Sequence, residues 1–137
     1  MLAGKLSAFS GTPYFFEHGN WTPGGLTGCG VDHAHLHIVP LPFDLLEAAT
    51  SGGDPDIAWT RVPQAKKFRD LIPASGEYVS VWNPLTQEGL TGALKKPQSQ
   101  WIRRTIAKKL GKEEAWDYKV NPEVTTLLET VRVLTIR

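Results

Sequence analysis

The stretch GCGVDHAHLHIVPLP, Gly28 to Pro42, decides how this chain is read. Three histidines, His33, His35 and His37, stand two residues apart, with apolar Ala34 and Leu36 between them and Ile38 and Val39 behind. Side chains alternate across a β-strand with a period of two. All three imidazoles therefore fall on one face, and Ala34, Leu36 and Ile38 on the other. Pro40 and Pro42 are expected to end this strand, because proline has no ladder donor. Three neighbouring imidazoles behind a glycine-bearing bend point to nucleophilic, proton-transfer or metal chemistry.

Three uses of the cluster compete. In the first, a neutral imidazole near its ~6.5 reference pKa attacks an electrophilic phosphorus. His35 sits between two other imidazoles, so one neighbour fixes its tautomer while another protonates the leaving group. The backbone amides around Gly28 and Gly30, free of bulky side chains, can then approach a phosphate closely. In the second, the histidines hold a metal. Neighbours on one face are ~6.6 Å apart and the outer pair ~13 Å, so two of them can chelate one ion. A further ligand would come from His18, Asp32 or Glu17. In the third, each ring is satisfied by ordinary hydrogen bonds on a half-exposed sheet.

Working outward, Tyr14, Phe15 and Phe16 lead into Glu17-His18-Gly19 and predict a strand. Asn20 to Gly30, with Pro23 and several glycines, predicts a loop. Antiparallel pairing of Pro13–Glu17 with Val31–Pro40 would bring His18 towards the triad. Beyond the histidines, Phe43–Ala49 reads as a short helix leaving through Ser51-Gly52-Gly53, and Ile57–Val62 as a strand. Pro63 is expected to open a helix reaching Ile72. Glu77–Trp82 alternates as a strand that Asn83-Pro84 breaks, and Gly89–Leu94 pairs back as a hairpin arm. Pro97 opens a helix running to Leu110 with Gly111 as its stop, and Ile102, Ile106 and Leu110 form its buried stripe. Asn121-Pro122 starts a last helix carrying Val124, Leu127, Leu128 and Val131 at helical spacing. The β-branched tail VRVLTIR leaves the end of that helix open. Short strands mixed with helices, without regular βαβ alternation, give an α+β class.

The chain has 137 residues, enough for one domain with a sizeable core. Its formal charge of +1 predicts no bulk attraction to nucleic acid or to an anionic membrane. One cysteine, Cys29, excludes an intrachain disulfide framework and a cysteine-rich zinc site. No apolar run approaches ~18 residues, so no spanning helix is expected. The opening MLAGKLSAFSG lacks the apolar segment of a secretory signal, and a cytoplasmic protein is the expectation.

Secondary candidates each have two readings. Ser99, Gln100 and Arg103 are expected in the first turns of the Pro97 helix. There they serve either as phosphate donors at a helix amino end or as simple caps and solvated cations. His18 is either a fourth histidine beside the phosphate or an exposed turn residue. Lys95, Lys96, Arg103, Arg104, Lys108 and Lys109 read as a solvated helix face, balanced by acidic residues elsewhere. Cys29 reads as a small buried hydrophobe rather than a second nucleophile. Trp21 is the tryptophan nearest the site in sequence and a candidate to stack on a base. Trp82, Trp101 and Trp116 are expected to pack.

The segment His33-Ala34-His35-Leu36-His37-Ile38-Val39 resembles, in full, the His-φ-His-φ-His-φ-φ motif of the histidine-triad (HIT) superfamily, with φ apolar. Gly28-Cys29-Gly30-Val31 and Glu17-His18-Gly19 are similar to the family's surroundings of that motif. PQSQWIRRTIAKKLGKEEAWDYK is similar to the carboxy-terminal extension of larger bacterial HIT-like proteins. The resemblance implies an enzyme that hydrolyses or transfers nucleotides without a metal or other cofactor. His35 would form the nucleotidyl-histidine intermediate, His37 would contact phosphate or leaving group, and His33 would hold and polarise the nucleophile. Independently of the resemblance, His18, Gly28, Gly30, Ser99, Gln100 and Arg103 are the candidates for binding substrate. Two departures stand out. Cys29 and Gly30 occupy the lead-in where many members carry Gln and Ser. In addition, 32 residues precede His33, where the family places most of its nucleoside pocket. The expectation is thus a single HIT-like domain over residues 1–137, an antiparallel sheet with helices that lacks part of the usual amino-terminal half. Either the member is shortened, or another copy supplies the wall, or the nucleoside pocket is lost. Apolar edges left by a missing wall imply a homodimer.

Overall fold

The computed structural model describes residues 11–22, 35–117, 119–122 and 124–135. They form an α+β fold. Strands β1 (Thr12–Asn20), β2 (His37–Leu41), β3 (Ile57–Val62), β4 (Glu77–Asn83) and β5 (Glu88–Leu94) make one antiparallel sheet in the order β2-β1-β4-β5-β3. Helices α1 (Leu45–Ser51), α2 (Trp101–Lys109) and α3 (Val124–Thr135) accompany it. No helix among the described residues is long and apolar enough to cross a membrane.

The strand period sorts the sheet's two faces. Tyr14 and Phe16 of β1, Val79 and Val81 of β4 and Leu90 of β5 point to one side. There they form the core with Leu41, with Leu45, Leu46 and Ala49 of α1, and with Ile102 of α2. The other face is covered by the segment between β3 and β4. Leu71 is buried there, and its carbonyl accepts from Ser80 Oγ at 2.8 Å and Thr91 Oγ1 at 2.7 Å. Gly89 leaves the space into which the Leu71 side chain fits, since a Cβ there would overlap it.

This covering segment corrects the helix expected from Pro63 to Ile72. Only Phe68–Leu71 is helical, as one 3₁₀ turn. Gln64 takes a left-handed φ of 59°. Ala65 then turns its N–H to Gln87 O at 2.8 Å and its carbonyl to Trp82 Nε1 at 3.0 Å. Asp70 Oδ2 accepts from the N–H groups of Lys66 and Lys67. These backbone groups are satisfied by the turn before β5, the Trp82 indole and the Asp70 carboxylate rather than by α-helical pairing.

Other boundaries shift for local reasons. The first helix begins at Leu45 rather than Phe43, because Asp44 caps it, accepting from Leu46 N at 2.9 Å and Glu47 N at 3.3 Å. Strand β2 runs through Pro40 to Leu41 instead of ending there; on an edge strand a missing N–H is tolerated. The helix expected from Pro97 starts at Trp101, after Gln100 in the left-handed region. Its stop at Gly111, with φ 69°, is as expected. The last helix continues through the β-branched tail to Thr135.

Candidate functional site

The expected pairing of the aromatic strand with the histidine strand is present, with Phe16 opposite His37 and Phe15 opposite Ile38. His37 opens β2, whereas His35 and Leu36 precede it, so among the described residues the strand is shorter than the expected Val31–Pro40. His33, Gly28, Gly30, Cys29 and Asp32 lie outside the described residues. Alternation still places the two described triad rings together. His35 and His37 stack with centroids 6.5 Å apart and planes 23° apart, and His37 lies 4.9 Å from the Phe16 ring at 13°.

A small cavity of about 30 Å³ opens beside these rings. It is lined by Phe16, His18, His35, His37, Gln100, Ile102 and Arg103. His18 is two residues along β1 from Phe16 and so shares its face. Arg103 projects from the first turn of α2. Ser99 and Gln100 lie ahead of that helix rather than inside its first turns, and Ser99 is not among the lining residues. Gln100, at φ 54° and ψ 38°, is a non-glycine residue in a strained conformation. Its side-chain Oε1 is buried and takes no hydrogen bond among the described residues.

His18 is held by a residue that no sequence pattern marked. Its Nε2–H donates to Glu77 Oε1 at 2.8 Å, and both side chains are more than nine-tenths buried. The register explains the contact: Val79 faces His18 across β1 and β4, so Glu77 lies on the same face two residues away. His18 Nδ1 is buried without a hydrogen bond among the described residues.

Electrostatics favour a neutral ring at His37. Burial pushes its pKa below 6.5, and the Arg103 guanidinium and the neighbouring His35 push in the same direction. Glu17, once a possible metal ligand, points away from this site. It accepts a very short hydrogen bond from the Tyr78 hydroxyl on the opposite face, where burial and the Glu17 carboxylate raise the tyrosine's pKa. Among the described residues, no group of three or more His, Cys, Asp or Glu side chains is placed to hold a metal ion.

A larger groove of about 380 Å³ shares Phe16, His37 and Arg103 with the small cavity. Its further walls include Val39, Ile106, Leu110 and Trp116, with Lys112 also lining it. Trp116 was expected to pack; it lines this groove, and the Arg104 guanidinium sits 4.8 Å from its ring centroid. Trp21, the expected base-stacking residue, instead anchors the end of β1. Its Nε1–H donates to Pro73 O at 2.8 Å, the residue is 56% exposed, and it lines neither space. Trp82 and Trp101 do pack, Trp82 edge-on against Phe15 and Trp101 against Trp59.

Several of the basic residues have partners of their own. Lys96 pairs with Asp56 at 3.3 Å, Lys95 donates to Pro55 O, and Arg103 turns towards His37. No protein-family model matches this chain, and no curated protein or solved structure matches it either.

Proposed function

We propose that this chain is a HIT-like nucleotide hydrolase or nucleotidyltransferase that works through a nucleotidyl-His35 intermediate. The observation that carries this reading is the convergence of His18, His35, His37, Gln100 and Arg103 on one cavity from three separate parts of the chain. A phosphoryl group at the mouth of that cavity meets a nucleophilic imidazole, a second neutral imidazole and a guanidinium. Nucleophilic attack needs the first, proton transfer the second, and charge stabilisation the third. The cavity itself is too small for a nucleoside. The adjoining groove lies within the size range of small-molecule sites and offers apolar walls with an indole, so it accommodates the base and sugar. In this reading α2 and the segment before α3, both after the histidine motif in the chain, supply much of the nucleoside pocket's wall.

Phosphate on His35 is formed by attack of an imidazole nitrogen on phosphorus. The P–O bond to the leaving group breaks, and the leaving oxygen takes its electron pair and a proton from solvent. Incubation with a labelled dinucleotide, followed by a rapid quench, is expected to leave label on His35, and His35→Ala to lower turnover by at least about 10³-fold. Binding by calorimetry without turnover, unaffected by His35→Ala, would instead identify a phosphate-binding protein.

The same reading includes a homodimer. Helix α3 exposes Val124, Leu127, Leu128 and Val131, which recur at helical spacing, and β2 and β3 are the edges of the sheet among the described residues. A second copy of the chain covering the α3 stripe accounts for an apolar helix face that this chain alone leaves in water.

A further inference from the structure

Two buried atoms of the small cavity take no hydrogen bond among the described residues: His18 Nδ1 and Gln100 Oε1. A buried polar atom left unpaired is destabilising, so two of them on residues that line one small space call for a donor. The tautomer of His18 follows from its partner. A carboxylate only accepts, so Glu77 takes the Nε2–H and leaves Nδ1 as a lone pair. The amide oxygen of Gln100 is likewise an acceptor. A space of about 30 Å³ is large enough to admit water, and a water molecule has two protons to give. The left-handed backbone of Gln100 is strain of the kind found where a side chain must be aimed.

We propose that His18 is the base that activates the water breaking down nucleotidyl-His35, that Gln100 Oε1 is the second anchor of that water, and that Glu77 is the residue positioning His18. The inference rests on the covalent reading of His35 given above. In the step, the water oxygen forms a bond to phosphorus while the P–N bond to His35 breaks. The electron pair returns to the His35 imidazole, and the water proton passes to His18 Nδ1. The resulting imidazolium is stabilised by the Glu77 carboxylate 2.8 Å from its Nε2 and later releases its proton to solvent. The products are a nucleoside phosphate and free His35.

Two measurements test it. Nitrogen-detected NMR of the free protein at pH 7.5 is expected to show His18 as the Nε2–H tautomer with an unprotonated Nδ1, a preference weakened in Glu77→Ala. An Nδ1–H tautomer in the native chain overturns the proposal without reference to activity. Quenched-flow kinetics with the labelled dinucleotide then separates formation of the intermediate from its breakdown. His18→Gln and Glu77→Gln are expected to accumulate labelled His35 and to break it down about 100-fold more slowly than the native chain. Glu77→Asp, which keeps the carboxylate, is expected to recover part of that loss. Should His18→Gln not fold, Gln100→Ala carries the same expectation at about tenfold. Unchanged breakdown in these variants removes the role of His18 while leaving His35 as nucleophile. Absence of label on native His35 removes both.

Discussion

His37 shows how one side chain takes its chemistry from its neighbours. On the sequence it is the third member of an alternating motif, and its titration is that of any histidine. In the fold it stacks on Phe16, and burial, Arg103 and His35 all lower its pKa. The consequence for stability has a definite sign. Above the unfolded value of about 6.5 the ring is neutral in both states and contributes no pH dependence. As pH falls below that value the unfolded chain takes up a proton that the folded chain refuses, so stability declines until the folded pKa is passed. Urea unfolding at pH 7.5 and 5.5 should therefore show a larger loss in the native chain than in His37→Gln. Equal losses would show that His37 is not the titrating group. Glu77 marks the other side of this scale. It is an unremarkable acidic residue in an alternating strand, and only the register with β1 brings it to His18.

At the scale of elements, α2 links the core to the candidate site. Ile102 is buried among the sheet's apolar residues, while Arg103, the next residue, reaches the cavity. The helical periodicity of Ile102 and Ile106 was legible, because a 3.6-residue period is written in the spacing itself. Leu110 departs from the expected stripe, being 46% exposed and lining the groove. The late start at Trp101 was not legible. Pro97 is a sound first-turn residue, but here Gln98 and Trp101 both donate to Asp54 Oδ2 at 3.1 Å, which fixes the approach to the helix by a tertiary contact. Hydrogen bonds to its carboxylate, led by the Asp56 N–H, hold Asp54 below the usual carboxylate range. The groove that α2 borders yields its own prediction. Trp116→Ala should raise KM for a nucleotide substrate about tenfold and change kcat little, since an indole wall contributes binding rather than chemistry. A fall in kcat with KM unchanged would place the substrate elsewhere.

For the whole molecule, the open question is what covers α3. Its apolar residues recur at helical spacing, and Leu127 is 61% and Leu128 64% exposed. A second copy is the proposed cover. Light scattering is expected to give twice the chain mass for the native protein, and the single-chain mass for the double variant Leu127→Asp, Leu128→Asp. A native monomer would refute the dimer.

The sequence by itself determined the α+β class, the places of most strands, and the pairing of the aromatic and histidine strands. Each of these is a short-range pattern: alternation, helical period, proline and glycine punctuation, or residue type at fixed spacing. The tertiary structure decided the rest. Residues 63–72 gave up a helix because their backbone groups found better partners on the sheet. Gln100 and Arg103 joined His18, His35 and His37 because α2 packs on the sheet face that carries them. Glu77 met His18 through a strand register spanning 59 residues of chain. Contacts between distant segments depend on the packing of everything between them, and no local pattern records that.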